Sequence, residues 1–394
     1  MFKKILAVLL CISMAAGLAA CGSKAESESS AQESNADVGA VTNYKIGLMI
    51  SPLATREEYY RTSEMLMEEY GAEKFVMDVY PDNPQDEQEV TISKVMNMAM
   101  NPDVKVIICD SADIGTIAMI NKVKEERPDI KFLLGSLNED VYEMAQVGDL
   151  LVSMDPEIWA ESVAQFAVDA GAEHFVFYSF ARHMSNALKV RHQESMQKVC
   201  EANGVTFETV TMPDPMGDGG IGGAQQFMLE SVPSLMDTYG TKNVAYYATV
   251  STIQECLLKT VAENVGIYPC NPDPSPFSGF SGAFGLEIDD AHKYDADYVN
   301  DLITEALGEY NMNGRVGGWE KSFVRCELEL LFRYALAYCE GEVNEVDGKP
   351  DAQKVEELVK EIYGEGAYFN KSINDITGEE YDNWFTVARD LYAY

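Results

Sequence analysis

From Tyr44 onward the chain alternates short apolar runs with amphipathic stretches, and this alternation restricts its fold more than any other feature. Lys45-Ile46-Gly47-Leu48-Met49-Ile50 ends in Ser51-Pro52, and residues 56–70 follow in a helix pattern with Tyr59, Met65 and Leu66 at apolar positions. Lys74 to Tyr80 reads as the next strand and Glu87 to Met100 as the next helix. Val104 to Cys109, a helix over 113–126, and Ile130 to Leu134 continue the series. The runs are apolar without a polar alternate, as in a parallel sheet covered by helices on both faces.

The pattern then repeats. Asp155-Pro156 starts a helix carrying Ile158, Trp159, Val163, Phe166 and Ala170, and Gly171 leads into His174 to Tyr178. A helix over about 184–202, a strand from Val205 to Val210 and a helix over 223–239 follow, then a strand at Asn243 to Val250 and a helix at Thr252 to Glu263. Ser281 to Ile288 reads as a strand returning to the first unit, with helices at about 292–308, 320–340 and 351–363 and a packed aromatic end around Trp384, Phe385, Tyr392 and Tyr394. The expected fold class is α/β: two Rossmann-like parallel-sheet lobes with a cleft between them, plus a helical C-terminal extension. The expected boundaries are 44–154 plus about 281–320 for the first lobe, 155–280 for the second and 321–394 for the extension. A chain of this length is more than one core usually serves.

The N-terminus has a different texture. Lys3 and Lys4 precede the apolar stretch Ile5 to Leu18, which is shorter than the ~20 residues a lasting span needs. It closes on Leu18-Ala19-Ala20-Cys21, with the small side chains a signal peptidase requires. This resembles a bacterial lipobox, and the resemblance implies a signal peptide over 1–20, a diacylglyceryl thioether on Cys21 and an extracytoplasmic protein lipid-anchored to the cell membrane. Residues 22–43, rich in Ser, Ala and Glu, cannot bury enough surface to fold and read as a tether reaching about 25 Å.

Without residues 1–20 the formal charge is 27 minus 65, or −38. So acidic a body argues against nucleic acid as a partner and against adhesion to anionic lipid. Of the eight cysteines, Cys11 leaves with the leader and Cys21 takes lipid. The other six show no zinc or redox spacing. Export permits disulfides, while neighbours such as Val106-Ile107-Ile108 before Cys109 favour buried thiols.

Lys45-Ile46-Gly47-Leu48, Val106-Ile107-Ile108-Cys109-Asp110 and the crossover helix from Asp155 to Gly171, set behind a lipobox and tether, resemble the type I periplasmic-binding-protein superfamily. These are the solute receptors of ABC transporters, and the chain is similar to a lipoprotein subgroup catalogued as a domain of unknown function. In such open sheets ligands gather beyond the carboxyl ends of the strands. That rule selects Ser51, Thr55, Asp110, Ser111, Ser136 and Asn138 from the first lobe. It selects Tyr178, Phe180, Arg182, Thr249, Ser251 and Phe277 from the second. Aromatic walls with a few polar groups suit a small ring compound; the structural alternative is that the serines are ordinary helix caps and Tyr178 is core.

Competing motifs carry less. Gly217-Asp218-Gly219-Gly220-Ile221-Gly222 has G-x-G-x-x-G spacing, but Pro213-Asp214-Pro215 separates it from the strand and Asp218 would meet phosphate, so a flexible cleft-edge loop is expected instead. His183 and His192 are half a turn apart on a helix, and no metal motif, cofactor motif or nucleophile elbow is present. The resemblance therefore implies a non-enzymatic binding protein that presents a small solute, such as a sugar or nucleoside, to an ABC permease. A sensor lipoprotein feeding a membrane signalling receptor and a surface enzyme are the alternatives. A transcription regulator of the same fold would carry a basic headpiece where this chain has its lipobox.

Overall fold

A computed structural model describes residues 43–374 and 376–394. The leader, the lipidation site at Cys21 and nearly all of the tether lie outside the described residues. The first series of elements is β1 (Lys45–Ile50), α1 (Glu57–Tyr70), β2 (Phe75–Val79), α2 (Gln88–Ala99), β3 (Val104–Cys109), α3 (Thr116–Glu126), β4 (Lys131–Leu134), α4 (Val141–Val147) and β5 (Leu150–Met154). Its strands pair in parallel, with β1 between β2 and β3. Alternate residues serve opposite faces: Ile46, Leu48 and Ile50 enter one core and Met49 the other, where α2, α3 and α4 pack. Both faces are buried, which is why these strands lack polar alternates.

The second series is α5 (Pro156–Asp169), β6 (His174–Ser179), α6 (Ala187–Ala202), β7 (Thr206–Thr211), α7 (Gly220–Tyr239), β8 (Val244–Ala248) and α8 (Gln254–Glu263). It forms a parallel sheet in the order β7-β6-β8. The single bridges Ala245–Ile267 and Tyr268–Val316 continue it sideways. There follow α9 (Phe280–Phe284), α10 (Ala296–Glu309), β9 (Gly317–Gly318), α11 (Phe323–Glu340), α12 (Ala352–Tyr363), β10 (Tyr368–Ile373), β11 (Glu380–Ala388) and β12 (Tyr392–Ala393).

Three expectations are corrected here. Residues 281–288 form no strand. Gly279 and Gly285, at φ 80° and 67°, bracket the short helix α9. Nor do residues 281–320 return as a body to the first lobe. Val299, Ile303 and Leu307 of α10 pack with Val176 of β6, Tyr246 of β8 and Val261 of α8 in the second, because that face of the β6–β8 sheet needs a cover.

The C-terminal extension, finally, is more than helical. After α11 and α12, β11 adds in parallel beside β5, and β10 closes the edge antiparallel to it. The first sheet therefore has the order β10-β11-β5-β4-β3-β1-β2. α11 covers the face opposite α2 and α3, burying Leu328, Leu331 and Phe332 against Ile46, Val106 and Phe75. Trp159 of α5 meets Trp319 edge-on at 5.7 Å, within the same core.

All six cysteines of the described residues are free, and every one but Cys256 is buried. No helix among the described residues is long and apolar enough to cross a membrane.

Candidate functional site

In each sheet the chain leaves the central strand in opposite directions, and a crevice opens at that switch point. In the first sheet it lies between the carboxyl ends of β1 and β3. The Asp110 carboxylate accepts the Ser51 N–H at 2.7 Å and the Ser51 hydroxyl at 3.2 Å, tying the two strand ends together. In the second sheet it lies between β6 and β8, where the Ser179 and Thr249 hydroxyls meet at 3.0 Å. Both crevices open toward one cleft of about 1520 Å³, walled by both lobes.

On the first lobe Ser51, Thr55, Ser136 and Asn138 line that cleft; on the second Arg182, Thr249, Ser251 and Phe277 do. Four expected residues do not. Asp110 and Ser111 are fully buried beneath the wall. Asp110 supports Ser51, and the Ser111 hydroxyl accepts from Arg56 and from the Asn138 amide at 3.1 Å. Tyr178 is core: its ring faces Tyr246 and its hydroxyl pairs with Ser231 at 2.9 Å. Strand alternation puts it under α7, away from the cleft. Phe180 is buried behind His183, ring to ring at 4.2 Å.

The structure adds residues that sequence reasoning passed over. Arg56, just before α1, donates to Ser111 and lies 3.4 Å from Asp113 Oδ1. Tyr59, in the first turn of α1, shares a 2.7 Å hydrogen bond with the Ser136 hydroxyl. That hydroxyl and the Ser136 N–H both donate, each at 3.1 Å, to Glu327 of α11. Glu327 is completely buried, and burial pushes its carboxyl up to about 8, against the pull of the two Ser136 hydrogen bonds. Burial likewise raises Asp110 to about 7, although the Ser51 N–H and Arg56 hold it back. Ser136 sits at φ 42°, a strained position for a residue with a side chain, and the Glu327 pair anchors it there.

Across the cleft, Arg182 is held by Asp214 through two hydrogen bonds of 2.9 and 2.8 Å. His183 Nδ1 pairs with the Thr249 hydroxyl at 3.0 Å, and burial, then the charges of Lys189 and Arg182, lower its imidazole to about 3. It therefore stays neutral. Ser251 donates to Asp273, which lies inside the Pro272 to Phe277 turn. Lys189, in the first turn of α6, lines the cleft as well. Among the described residues no group of three His, Cys, Asp or Glu side chains could hold a metal ion. The G-x-G-x-x-G segment is a loop only up to Gly219, since Gly220 opens α7; Met216 just before it and Ile221 within it line the cleft.

Arg56 and Asp273 had a sequence signal, since each adjoins or lies in a strand-end loop. Glu327 had a weaker one, a lone acid on an otherwise apolar helix face. Lys189 had none.

A family model described as a protein of unknown function, DUF3798, matches residues 44–317. Two uncharacterized proteins of Treponema pallidum (strain Nichols) are 28% identical over 184 residues and 24% identical over 213 residues. Those matches cover 45% and 54% of this chain, and 83% and 97% of the relatives. A crystal structure from Clostridium difficile 630, described as a transcriptional regulator, superposes with a TM-score of 0.72 at 20% identity over 90% of this chain and 100% of that one. A periplasmic ribose ABC transporter structure from Conexibacter woesei DSM 14684 gives 0.52 at 12% identity, covering 82% and 96%. A carbohydrate transporter structure from Acidothermus cellulolyticus 11B, in complex with myo-inositol, gives 0.51 at 9%, covering 81% and 98%. At these identities the likeness is one of fold, that of the type I periplasmic-binding proteins.

Proposed function

We propose that this chain, which belongs to the DUF3798 family, is an extracytoplasmic solute-binding protein that captures a small polar molecule between its lobes. The observation that carries the reading is the pairing of two switch points on one cleft. Each crevice offers hydroxyl and carboxylate groups already oriented by neighbours, and Tyr59, Tyr142 and Phe277 supply aromatic wall. Oriented polar groups among aromatic surfaces are what selective capture of a small molecule needs. Nothing in this role transforms the solute. The twelve residues selected from the sequence divide accordingly: those on the cleft contact the solute, and Asp110 and Ser111 position Ser51, Arg56 and Asn138.

Capture proceeds by closure of the lobes about the strands' crossover segments. Asp155 is one such segment, and Pro272 to Ser275 with Ser322 forms another. There the Glu58 carboxylate accepts the hydroxyls of Ser275 and Ser322, both at 2.6 Å, and the Phe323 N–H donates to the Pro274 carbonyl at 2.8 Å. In this reading lipid on Cys21 keeps the receptor at the membrane, where an ABC permease takes the cargo; sugars and nucleosides lead the candidates.

Thermal unfolding of residues 23–394 against sugars, nucleosides, vitamins and amino acids tests the proposal. Ligand at 100 times its dissociation constant adds about 2.7 kcal/mol of stability. One chemical class should raise the melting temperature; a flat response across all of them overturns the reading.

A further inference from the structure

Arg56 and Lys189 line the cleft from opposite lobes, and their nitrogens keep donors that no close carboxylate takes. Arg56 spends one N–H on the Ser111 hydroxyl. It meets Asp113 only at 3.4 Å, beyond a normal hydrogen bond, and Asn138 also donates to that oxygen, at 3.1 Å. The Lys189 ammonium spends none: among the described residues it has no hydrogen bond and no carboxylate within 4 Å, although the residue is more than half buried. Burial destabilises its ammonium; Asp273 opposes this, and the charge of Arg56 adds to it more weakly. Asp273 accepts from Ser251 and reaches neither cation within salt-bridge distance. Arg182 differs, since Asp214 satisfies it through both nitrogens.

Arg56 belongs to the first lobe and Lys189 to the second, so their repulsion acts between the lobes. Lys189 also stands in the first turn of α6, which carries no acid, and the positive end of that helix adds to it. Asp273 acts on both charges only from beyond salt-bridge distance, so part of the cost of desolvating them stays uncompensated. An oxyanion, with lone pairs for both, turns that repulsion into attraction.

We infer that the solute carries an oxyanionic group, a carboxylate or a phosphate, held between Arg56 of one lobe and Lys189 of the other. The inference rests on the solute-binding reading and narrows it to a charged class. The strongly acidic body does not forbid this, because at physiological salt distant charges are screened over about 8 Å, and of the nearby acids Asp273 forms no ion pair with either cation while Asp113 meets Arg56 only at 3.4 Å.

Calorimetric titration of residues 23–394, which contain the whole compact unit Gly39–Tyr394, tests the inference with matched probes. Glucose is compared with glucuronate and glucose 6-phosphate, ribose with ribose 5-phosphate, and uridine with its monophosphate. A charged member should bind at least about ten-fold tighter than its neutral partner, and the acid and phosphate arms tell which oxyanion is taken. Lys189→Gln should weaken that charged ligand by about 10- to 100-fold and leave neutral ligands unchanged, while Lys189→Arg restores most of the affinity. Neutral members binding as tightly as charged ones, or Lys189→Gln leaving the charged ligand untouched, overturns the oxyanion while solute binding stands. Binding by no probe of either kind removes both readings. The wild-type selectivity decides the matter even if a variant fails to fold.

Discussion

Two carboxyl groups lie under the cleft wall, and both are easier to bury protonated than charged. In Glu327 and Asp110 the folded state holds its proton to about 8 and about 7, whereas in an unfolded chain each lets go near the ordinary carboxylate range. Between those limits the folded state binds more protons than the unfolded one, so their contribution to stability falls as pH rises. It is fully present below about pH 4 and lost by about pH 8. Glu327→Gln keeps an acceptor for the Ser136 N–H and has no proton to lose. We expect its denaturant midpoint to decline less than the parent's from pH 5 to 8, with a difference of about 1–3 kcal/mol at the upper end. Parallel declines in the two proteins would show that Glu327 does not titrate in this range.

The thiols make a second expectation at this scale. Among the described residues Cys256 is the one cysteine that is not buried, its thiol directed at the Gln225 carbonyl at 3.6 Å. Brief maleimide labelling of the native protein should modify Cys256 alone, with the other five reacting only in denaturant. Loss of all labelling after denaturation without reductant would instead indicate disulfides.

At the scale of elements, Asp155 does several jobs at the passage from β5 to α5. One carboxylate oxygen caps α5 by accepting the N–H groups of Glu157 and Ile158 at 3.1 and 2.9 Å. The other accepts the buried Thr386 hydroxyl of β11 at 2.8 Å and the Asn370 amide of β10 at 3.3 Å. One residue thus joins the crossover to the C-terminal strands. Asp155→Ala should cost about 1 kcal/mol for the cap and about 1–3 kcal/mol for the unpaired hydroxyl, measured by urea denaturation. Asp155→Asn, which keeps a capping oxygen, should recover much of it.

α11 tells the same story by burial. It inserts Leu328, Leu330 and Leu331 at no exposure, and Leu331→Ala should cost about 2–5 kcal/mol.

On the scale of the whole molecule, the family match ends at residue 317, before α11, α12, β10 and β11. Those elements supply one face of the first lobe and cover the β5 edge, so residues 44–317 alone would expose Val152 and Leu150 on that face and leave β5 as an open edge. Such an edge invites aggregation. We expect a protein truncated after residue 317 to lack a cooperative thermal transition, whereas residues 39–394 should show one. A cooperative transition in the shorter chain would mean that the C-terminal elements are an accessory.

The sequence by itself determined the parallel α/β class and the positions of most strands and helices, because strands buried on both faces and helices buried on one carry their period in the residues themselves. It also located the loops after the strands, and Ser51, Asn138 and Arg182 indeed face one cleft. It could not separate Ser51 from Asp110, one on the wall and one beneath it, since both end a strand. It set Tyr178 and Phe180 in the site, where pleat direction turns both rings inward. The destination of residues 281–394 was decided only in three dimensions. Which sheet edge β11 joins, which face α11 covers and which core takes α10 depend on surfaces that exist only after the lobes have formed. The same holds for Arg56, Lys189 and Glu327. They come from the residue just before α1, from α6 and from α11, and their charge acquires meaning from burial and from neighbours far away in the chain.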